Sequence, residues 1–266
     1  MKPVRQPIVR EPRRSKSRPN RSLERGIELL RAFRPGSEFL GNGELAERTG
    51  LSRSTVSRLA QTLVGTGFLQ RDDVSRTYGL GAPVLSLGHA MHAGSSLLAV
   101  AKPLMLAAAL EKQINVGLAA PDRDEMVYLE SIRYSRRAAL RSVVSGQRVP
   151  IELTSLGRAW LAVATAAERA VLMRVFRKRR RAHWAELRKE IEAAIDSVHR
   201  QGYCAASWQP EVVAVATPMA LGTGQVFVLN MSTTTAESPA AMANALAAPL
   251  LELAQNIREA VQSGRR

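Results

Sequence analysis

The sequence carries a single cysteine, Cys204, in 266 residues. One thiol excludes a disulfide framework within the chain and a Cys-rich zinc site, and it suits a reducing compartment. Acidic residues are also few: 23 Asp and Glu stand against 38 Lys and Arg, a net charge of +15. That imbalance points to a polyanionic partner, and charge alone does not choose between nucleic acid and a membrane surface. No apolar run approaches the ~20 residues that span a bilayer. The basic stretch over residues 1–21 has no apolar segment behind it, so it does not read as a secretory signal. The expectation is a soluble, cytoplasmic chain with no membrane partner. Catalytic signatures are missing as well. There is no Ser-His-Asp order, no carboxylate pair and no zinc spacing, and no Lys-Ser/Thr follows Gly222 and Gly224 to make a phosphate-binding loop. The chain reads as no enzyme, with no catalytic residues, no metal and no cofactor.

What is present suggests two domains. The length exceeds one small domain, and 45% hydrophobic residues suffice for ordinary cores. Residues 1–20 are rich in Arg, Lys, Pro and Ser and are expected to be disordered, either as a solvated tail or as an arm along a DNA backbone. The pattern changes at Ser22, a candidate helix cap, after which Leu23, Ile27, Leu30 and Phe33 fall at helical spacing until Gly36. Asn42 is placed to cap a second helix that turns Leu45 and Ala46 inward and stops at Thr49-Gly50. After Leu51, Ser52 caps a third helix with Val56, Leu59, Ala60 and Leu63 on its apolar face, ended by Gly65 and Gly67. Two strand-like runs follow, 68–71 and 77–80, separated by Asp72, Asp73, Val74 and Ser75.

This is the order of a winged helix-turn-helix over 21–81. In that architecture the start of the second motif helix enters the major groove. The candidate DNA-contacting residues are therefore Ser52, Arg53, Ser54, Thr55, Ser57 and Arg58, with Arg71 and Arg76 on the wing. Small hydroxyls permit close approach, and arginine matches phosphates or the paired acceptors of guanine. Each has a plainer reading: Ser52 as a helix cap, Thr55 as a backbone bonder, Arg71 and Arg76 as solvated hairpin charges.

Residues 82–97 are expected to form a linker helix, with breaks at Gly94 and Pro103 and a second domain over 98–264. Strands are predicted at 114–119 and 125–132, joined by a Pro121-Asp122 turn, and at 138–144. Helices follow Thr154 and cover 166–177 and 184–201. Two central strands, 212–216 and 225–231, precede a closing helix over 239–262. The mixture is an α+β, sensor-like domain. Cys204 reads as a small buried hydrophobe, His89 and His92 as linker-helix surface, and the run Arg177-Lys178-Arg179-Arg180-Arg181 as a helix C-terminus favourable to cations, in preference to a second nucleic-acid patch.

Several segments resemble the IclR family of bacterial regulators. They are Ser22-Leu23-Glu24-Arg25-Gly26-Ile27-Glu28-Leu29-Leu30, Glu44-Leu45-Ala46-Glu47-Arg48-Thr49-Gly50-Leu51, Ser54-Thr55-Val56-Ser57-Arg58-Leu59, Gly67-Phe68-Leu69 and Tyr78-Gly79-Leu80-Gly81. In the second domain they are Thr154-Ser155-Leu156-Gly157-Arg158-Ala159, Gln201-Gly202-Tyr203 and Val215-Ala216-Thr217-Pro218. The resemblance spans about residues 22–262 and implies a GAF-like effector-binding domain and a linker helix that dimerises the DNA-binding domains, often as a dimer of dimers. It also implies a palindromic double-stranded operator and control of catabolism of aromatic, carboxylic or sugar acids. By matching segments, the effector pocket falls near Arg141, Ser142, Ser155, Leu156, Cys204, Val212, Ala214, Asn230 and Ser232. The chain departs from the family in the apolar stretch after Tyr203 and in the acid Glu152. Two other readings stay open: a basic nucleoid or RNA-binding protein without an operator, and an enzyme built on Cys204.

Overall fold

The computed structural model describes residues 20–134, 144–207, 212–221, 224–234 and 238–264. The basic N-terminal arm and most of the strand expected at 138–144 lie outside them. The chain divides into two compact units, Met1–Leu85 and Ser86–Arg266.

The first unit is built on α1 (Arg21–Arg31), β1 (Leu40–Gly41), α2 (Asn42–Thr49), α3 (Arg53–Gly65), β2 (Leu69–Asp72) and β3 (Thr77–Leu80). Asn20 caps α1, its side chain accepting from the Ser22 and Leu23 N–H groups at 3.1 and 3.2 Å. The expected cap, Ser22, lies inside the helix. Nor is the inward face the one expected. Leu29, Ala32 and Phe33 are buried while Leu23 and Ile27 are exposed, because only the C-terminal half of α1 reaches the core formed with Leu45, Val56, Ala60, Leu69 and Tyr78. Gly41, not Asn42, caps α2, its N–H donating to the Glu44 carboxylate at 2.8 Å. Gly50 ends α2 in the left-handed region at φ 70°, a conformation that glycine adopts without cost. Arg48 ties α2 back to α1 by donating to the Ala32 carbonyl at 3.0 Å. β1 was not legible, being two residues long. It pairs with β3 on the side opposite β2, giving the sheet order β1-β3-β2.

The second unit is approached through α4 (Ala82–Ala93) and begins fully with α5 (Ser96–Lys112). The break falls at Gly94-Ser95, where Ser95 caps α5 by accepting from the Leu98 N–H at 3.2 Å. Pro103, expected to break the chain, is inside α5. There a stripe of Leu97, Leu98, Ala101, Met105 and Ala109 is buried and holds the helix through the missing hydrogen bond.

Next come β4 (Asn115–Asp122), β5 (Glu125–Ile132), β6 (Arg148–Pro150), α6 (Ser155–Val163), α7 (Ala166–Arg179), a 3-10 turn (Arg181–His183) and α8 (Trp184–Gln201). The chain closes with β7 (Cys204–Ala206), β8 (Val212–Ala220), β9 (Val226–Thr234) and α9 (Pro239–Ser263). The strands form one antiparallel sheet in the order β6-β5-β4-β9-β8-β7. The β4–β5 turn is Arg123-Asp124, with Arg123 at φ 61°, not Pro121-Asp122. Pro121 is tolerated inside β4 because β9 pairs only as far as Ala119 there, so no second ladder needs its missing N–H.

Both faces of this sheet are covered. Helices α5 and α9 bury Met105, Leu250, Ala254 and Ile257 against Val116, Leu118, Val215, Leu229 and Met231. Helices α6, α7 and α8 bury Leu156, Leu161, Phe176 and Ile191 against Ala119, Tyr128, Ala216 and Val228.

Helix α6 sits hard against the chain before it. A Cβ on Gly157 meets Ile151 Cα and O at 2.2 Å, backbone atoms that cannot swing aside. Gly157→Ala is expected to cost about 1–3 kcal/mol by overpacking. Differential scanning calorimetry is expected to show a lowered transition for this unit; an unchanged transition would show that the backbone relaxes freely there.

Candidate nucleic-acid interface and effector site

Helix α3 presents two unlike faces. Val56 and Ala60 are fully buried, while Arg53, Ser54 and Arg58 are exposed and Ser57 is half-buried. At its start Ser52 is the helix cap, its hydroxyl accepting from the Thr55 N–H at 3.3 Å. The same hydroxyl lies 3.1 Å from the Ser54 hydroxyl and 2.9 Å from that of Thr55. The plainer reading of Ser52 is therefore realised, and three hydroxyls form one small network at the N-terminus of α3. The side chains of Arg53 and Arg58 have no ion pair or hydrogen bond among the described residues. Gln61, not singled out from the sequence, is exposed and extends the same face at i+7 from Ser54; that spacing was the available signal.

The wing hairpin is rigidly turned. The Asp72 carboxylate accepts from the Ser75 hydroxyl at 2.7 Å and the Val74 N–H at 2.9 Å, which together hold it below the usual carboxylate range. Arg71 is paired with Asp73 at 3.0 Å, whereas Arg76, at φ 55°, is exposed and unpaired among the described residues. The wing thus offers one free cation and one partly neutralised.

In the second unit, the sheet register collects five separately chosen residues. Cys204 is opposite Ala216, which is opposite Asn230. Ala214 is opposite Ser232, and Val212 begins the same strand two residues earlier. Strand alternation puts Cys204, Val212, Ala214, Asn230 and Ser232 on one face. It is the face covered by α6, whose Ser155 and Leu156 are buried. The Cys204 thiol donates to the Ser155 carbonyl at 3.5 Å. Arg141 and Ser142 lie outside the described residues.

Two neighbours of Asn230 were missed. Gly117 pairs with it across β4–β9, and a Cβ there falls 2.5 Å from both Asn230 Oδ1 and the Tyr128 ring. A glycine within an apolar strand is the signal of such close approach. Burial pushes the Tyr128 phenol up to about 12, with the Asn230 side chain acting the other way. Asn230 Oδ1 is buried without a hydrogen-bond partner, an exception among buried polar atoms.

Several other charged groups hold the second unit together. Glu152, the acid noted as a departure, is fully buried. Its carboxylate takes Arg180 Nε at 3.1 Å and Arg179 Nη1 at 3.5 Å, and Arg179 also pairs with Asp124. The basic run at 177–181 is therefore more than a solvated helix end: two of its arginines are turned inward. His92, expected on the linker-helix surface, meets Glu130 at 3.2 Å beside Lys102 at 3.1 Å. Burial raises the Glu130 carboxyl, but Lys102, the Ser131 N–H and the Ser145 hydroxyl outweigh it and hold the group below its ordinary range. Among the described residues no three His, Cys, Asp or Glu side chains are placed to hold a metal ion, and no single helix is long and apolar enough to cross a membrane.

A helix-turn-helix with a wing, joined in sequence to an antiparallel sheet covered by helices on both faces, defines a DNA-binding transcription regulator with a second, α/β domain. The IclR helix-turn-helix domain matches residues 22–73 and the bacterial transcriptional regulator IclR C-terminal domain matches residues 89–259. The chain belongs to the IclR family of transcriptional regulators. It is 33% identical to the HTH-type transcriptional regulator TsaQ1/TsaQ2 of Comamonas testosteroni, over 92% of this chain and 89% of that one. It is 29% identical to the Pca regulon regulatory protein of Pseudomonas putida, over 80% and 74%. The crystal structure of an IclR family transcriptional regulator from Brucella abortus superposes with TM-score 0.83 at 34% identity, covering 92% of this chain and 93% of that one.

Burial pushes the Cys204 thiol up to about 12, against a smaller opposing effect of Arg158. Below that pH it stays a neutral thiol, so at pH 8 the folded protein is expected not to react with a disulfide reagent such as DTNB. Guanidinium-unfolded protein should release one equivalent. Rapid labelling of the folded chain would reopen a nucleophilic role.

Proposed function

We propose that this protein is a ligand-responsive, sequence-specific regulator of a catabolic operon for aromatic, carboxylic or sugar acids. The observation that carries the DNA half is the exposed face of α3, with Arg53 and Arg58 unpaired beside the Ser54 and Ser57 hydroxyls. A guanidinium free of protein partners is available to phosphate or to guanine O6 and N7, and Arg76 supplies a backbone contact from the wing. Ser52 and Thr55 act mainly by fixing the helix start, and Arg71 contributes less because Asp73 competes for it.

The protein acts as a dimer or tetramer on a palindromic operator, with recognition helices about one DNA turn apart. Supporting this, α4 has no buried residue and exposes Leu85, Leu87 and Met91. An apolar helix left open in this way gains by packing on a second copy. The linker helix, expected over 82–97, is accordingly assigned to α4 (Ala82–Ala93), between the DNA-binding domain of 21–81 and an effector domain that opens with α5 at Ser96. The effector site is assigned to the sheet face under α6, where Asn230 Oδ1 offers an unused acceptor. Ser155, Leu156, Cys204, Val212, Ala214 and Ser232 surround it, with Arg141 and Ser142 expected to complete it. Similarity to a regulator of the Pca regulon supports the catabolic reading.

With an operator fragment obtained by selection from random DNA, Arg58→Ala is expected to weaken specific binding by about 10- to 100-fold, and Ser57→Ala by less. Affinity should fall steeply with salt. Fluorescence anisotropy checks both. Undiminished operator affinity in both variants would sink the groove assignment, and a specificity ratio near one would favour a nucleoid-type protein.

In a thermal-shift panel of aromatic, keto and sugar acids, an effector at 100 times its Kd should add about 2.7 kcal/mol of stability. Asn230→Ala is expected to shrink that shift. A hit whose shift is the same in Asn230→Ala places the effector elsewhere.

A further inference from the structure

An open recess lies on the outer side of the helical layer, between α7 and α8. It is independent of the α3 face and of the sheet face under α6. Helix α7 turns Leu172 and Phe176 to the core and α8 turns Leu187 and Ile191. Their flanks enclose an open groove of about 550 Å³ lined by Met173, Arg174, Arg177 and Trp184, with Arg169 and Asp196 towards its other end.

Its charges are unevenly satisfied. Arg188 is neutralised by Glu192 at 2.7 Å. Arg174 and Arg177 are exposed and have no ion pair or hydrogen bond among the described residues. Arg169 Nη2 donates to the Ala162 and Ala164 carbonyls at 3.3 and 3.2 Å, which leaves its Nε buried and without a partner. Asp196 is the one acid in the lining without a cation on its carboxylate, and it sits near the far end of α8 from Trp184. Positive charge is therefore concentrated where α7 turns into α8, at Arg174 and Arg177, with Arg181 just beyond.

We propose that this groove binds a small phosphorylated compound carrying a flat ring, the nucleotide class. Arg174 and Arg177 are three residues apart and project from one face of α7. Two guanidiniums there can address different oxygens of one phosphate, whereas a carboxylate is saturated by a single bidentate arginine. Trp184, half-buried beside the apolar Met173, gives the ring a surface on which to stack. The neighbouring Arg179 and Arg180 take no part, being committed to Glu152 and Asp124.

The test is isothermal titration of the full-length protein with AMP, inorganic phosphate and benzoate at fixed ionic strength. AMP is expected to bind saturably and more tightly than either of the others. The double variant Arg174→Ala/Arg177→Ala should weaken AMP by about tenfold or more, and Trp184→Leu should reduce the preference of AMP over phosphate. Both arginines are exposed and unpaired, so circular dichroism and operator affinity should be unchanged in the double variant. Arg174→Glu provides a second reading should Trp184→Leu fold poorly. Absence of AMP binding, AMP binding undiminished in the double variant, or benzoate binding as tightly as AMP would each overturn the proposal. So would an oligonucleotide whose affinity falls with AMP's in the double variant, since that marks a nucleic-acid surface. Asn230→Ala should leave AMP binding untouched, which separates failure here from failure of the effector assignment.

Discussion

The second domain depends on a sheet that is apolar on both sides. Residues 116–119 of β4, 213–217 of β8 and 228–231 of β9 are buried almost without interruption. Such strands cannot leave one face to water, so helices must cover both. That requirement places α5 and α9 on one side and α6, α7 and α8 on the other. It also makes each polar group on the sheet costly unless it is partnered. Glu130 is partnered by Lys102 and Thr217 donates to the Gly202 carbonyl at 2.8 Å, whereas Asn230 Oδ1 on β9 has no hydrogen-bond partner; beyond the sheet, Glu152 holds its arginines through Oε1 and leaves Oε2 unpartnered.

The same constraint explains what could be read from the sequence. Apolar periodicity gave α3 and α8 to within a residue or two, since each buries one clear stripe, whereas of α6, buried along almost its whole length, only the start after Thr154 was legible. β8 and β9 were visible as apolar runs, although both extend further than expected. Their ends carry Met219-Ala220 and Thr233-Thr234, residues that do not announce a strand by themselves. Short edge elements were not legible. β1, β6 and β7 have two or three residues each and exist only because a neighbour supplies the ladder. Caps were read two positions off at Ser22 and one off at Asn42, because nearby residues of helix-capping type compete and the chain path decides. The wing arginines could be located but not ranked, since the pairing of Arg71 with Asp73 depends on hairpin geometry. For the effector site, one-face residues on paired strands could be named only through a family resemblance; register is a long-range property that spacing does not encode.

Net charge is likewise a poor guide until its distribution is known. Of the arginines in the described residues, Arg148, Arg158, Arg179 and Arg180 are held in ion pairs with Glu125, Glu190, Asp124 or Glu152. They offset the desolvation of those acids and are unavailable to a partner. Arg53, Arg58 and Arg76 in the first unit, and Arg174 and Arg177 in the second, are free of protein partners. Among the described residues, the arginines open to a partner are therefore a subset set by local pairing, which the excess of +15 does not by itself disclose.

Asn230 bears most directly on how a ligand and this fold are coupled in the proposed reading. A buried amide oxygen without a partner costs about 1–3 kcal/mol, and Gly117 lets it persist, because any side chain there would collide with it. The simplest stabilising replacement, an apolar residue, would remove that cost, yet would also remove an unused acceptor on the sheet face under α6. A group that donates to Asn230 Oδ1 recovers the lost hydrogen bond as well as making its own contacts, so its binding energy appears directly as stability of this domain. Tyr128, kept neutral by burial, stands beside it with a phenol that can donate in turn. The pair is thus suited to a ligand hydroxyl that donates to the amide and accepts from the phenol. A carboxylate oxygen, an acceptor only, leaves the amide oxygen without a donor, so on this face an acid is held through a hydroxyl or another donor that it carries.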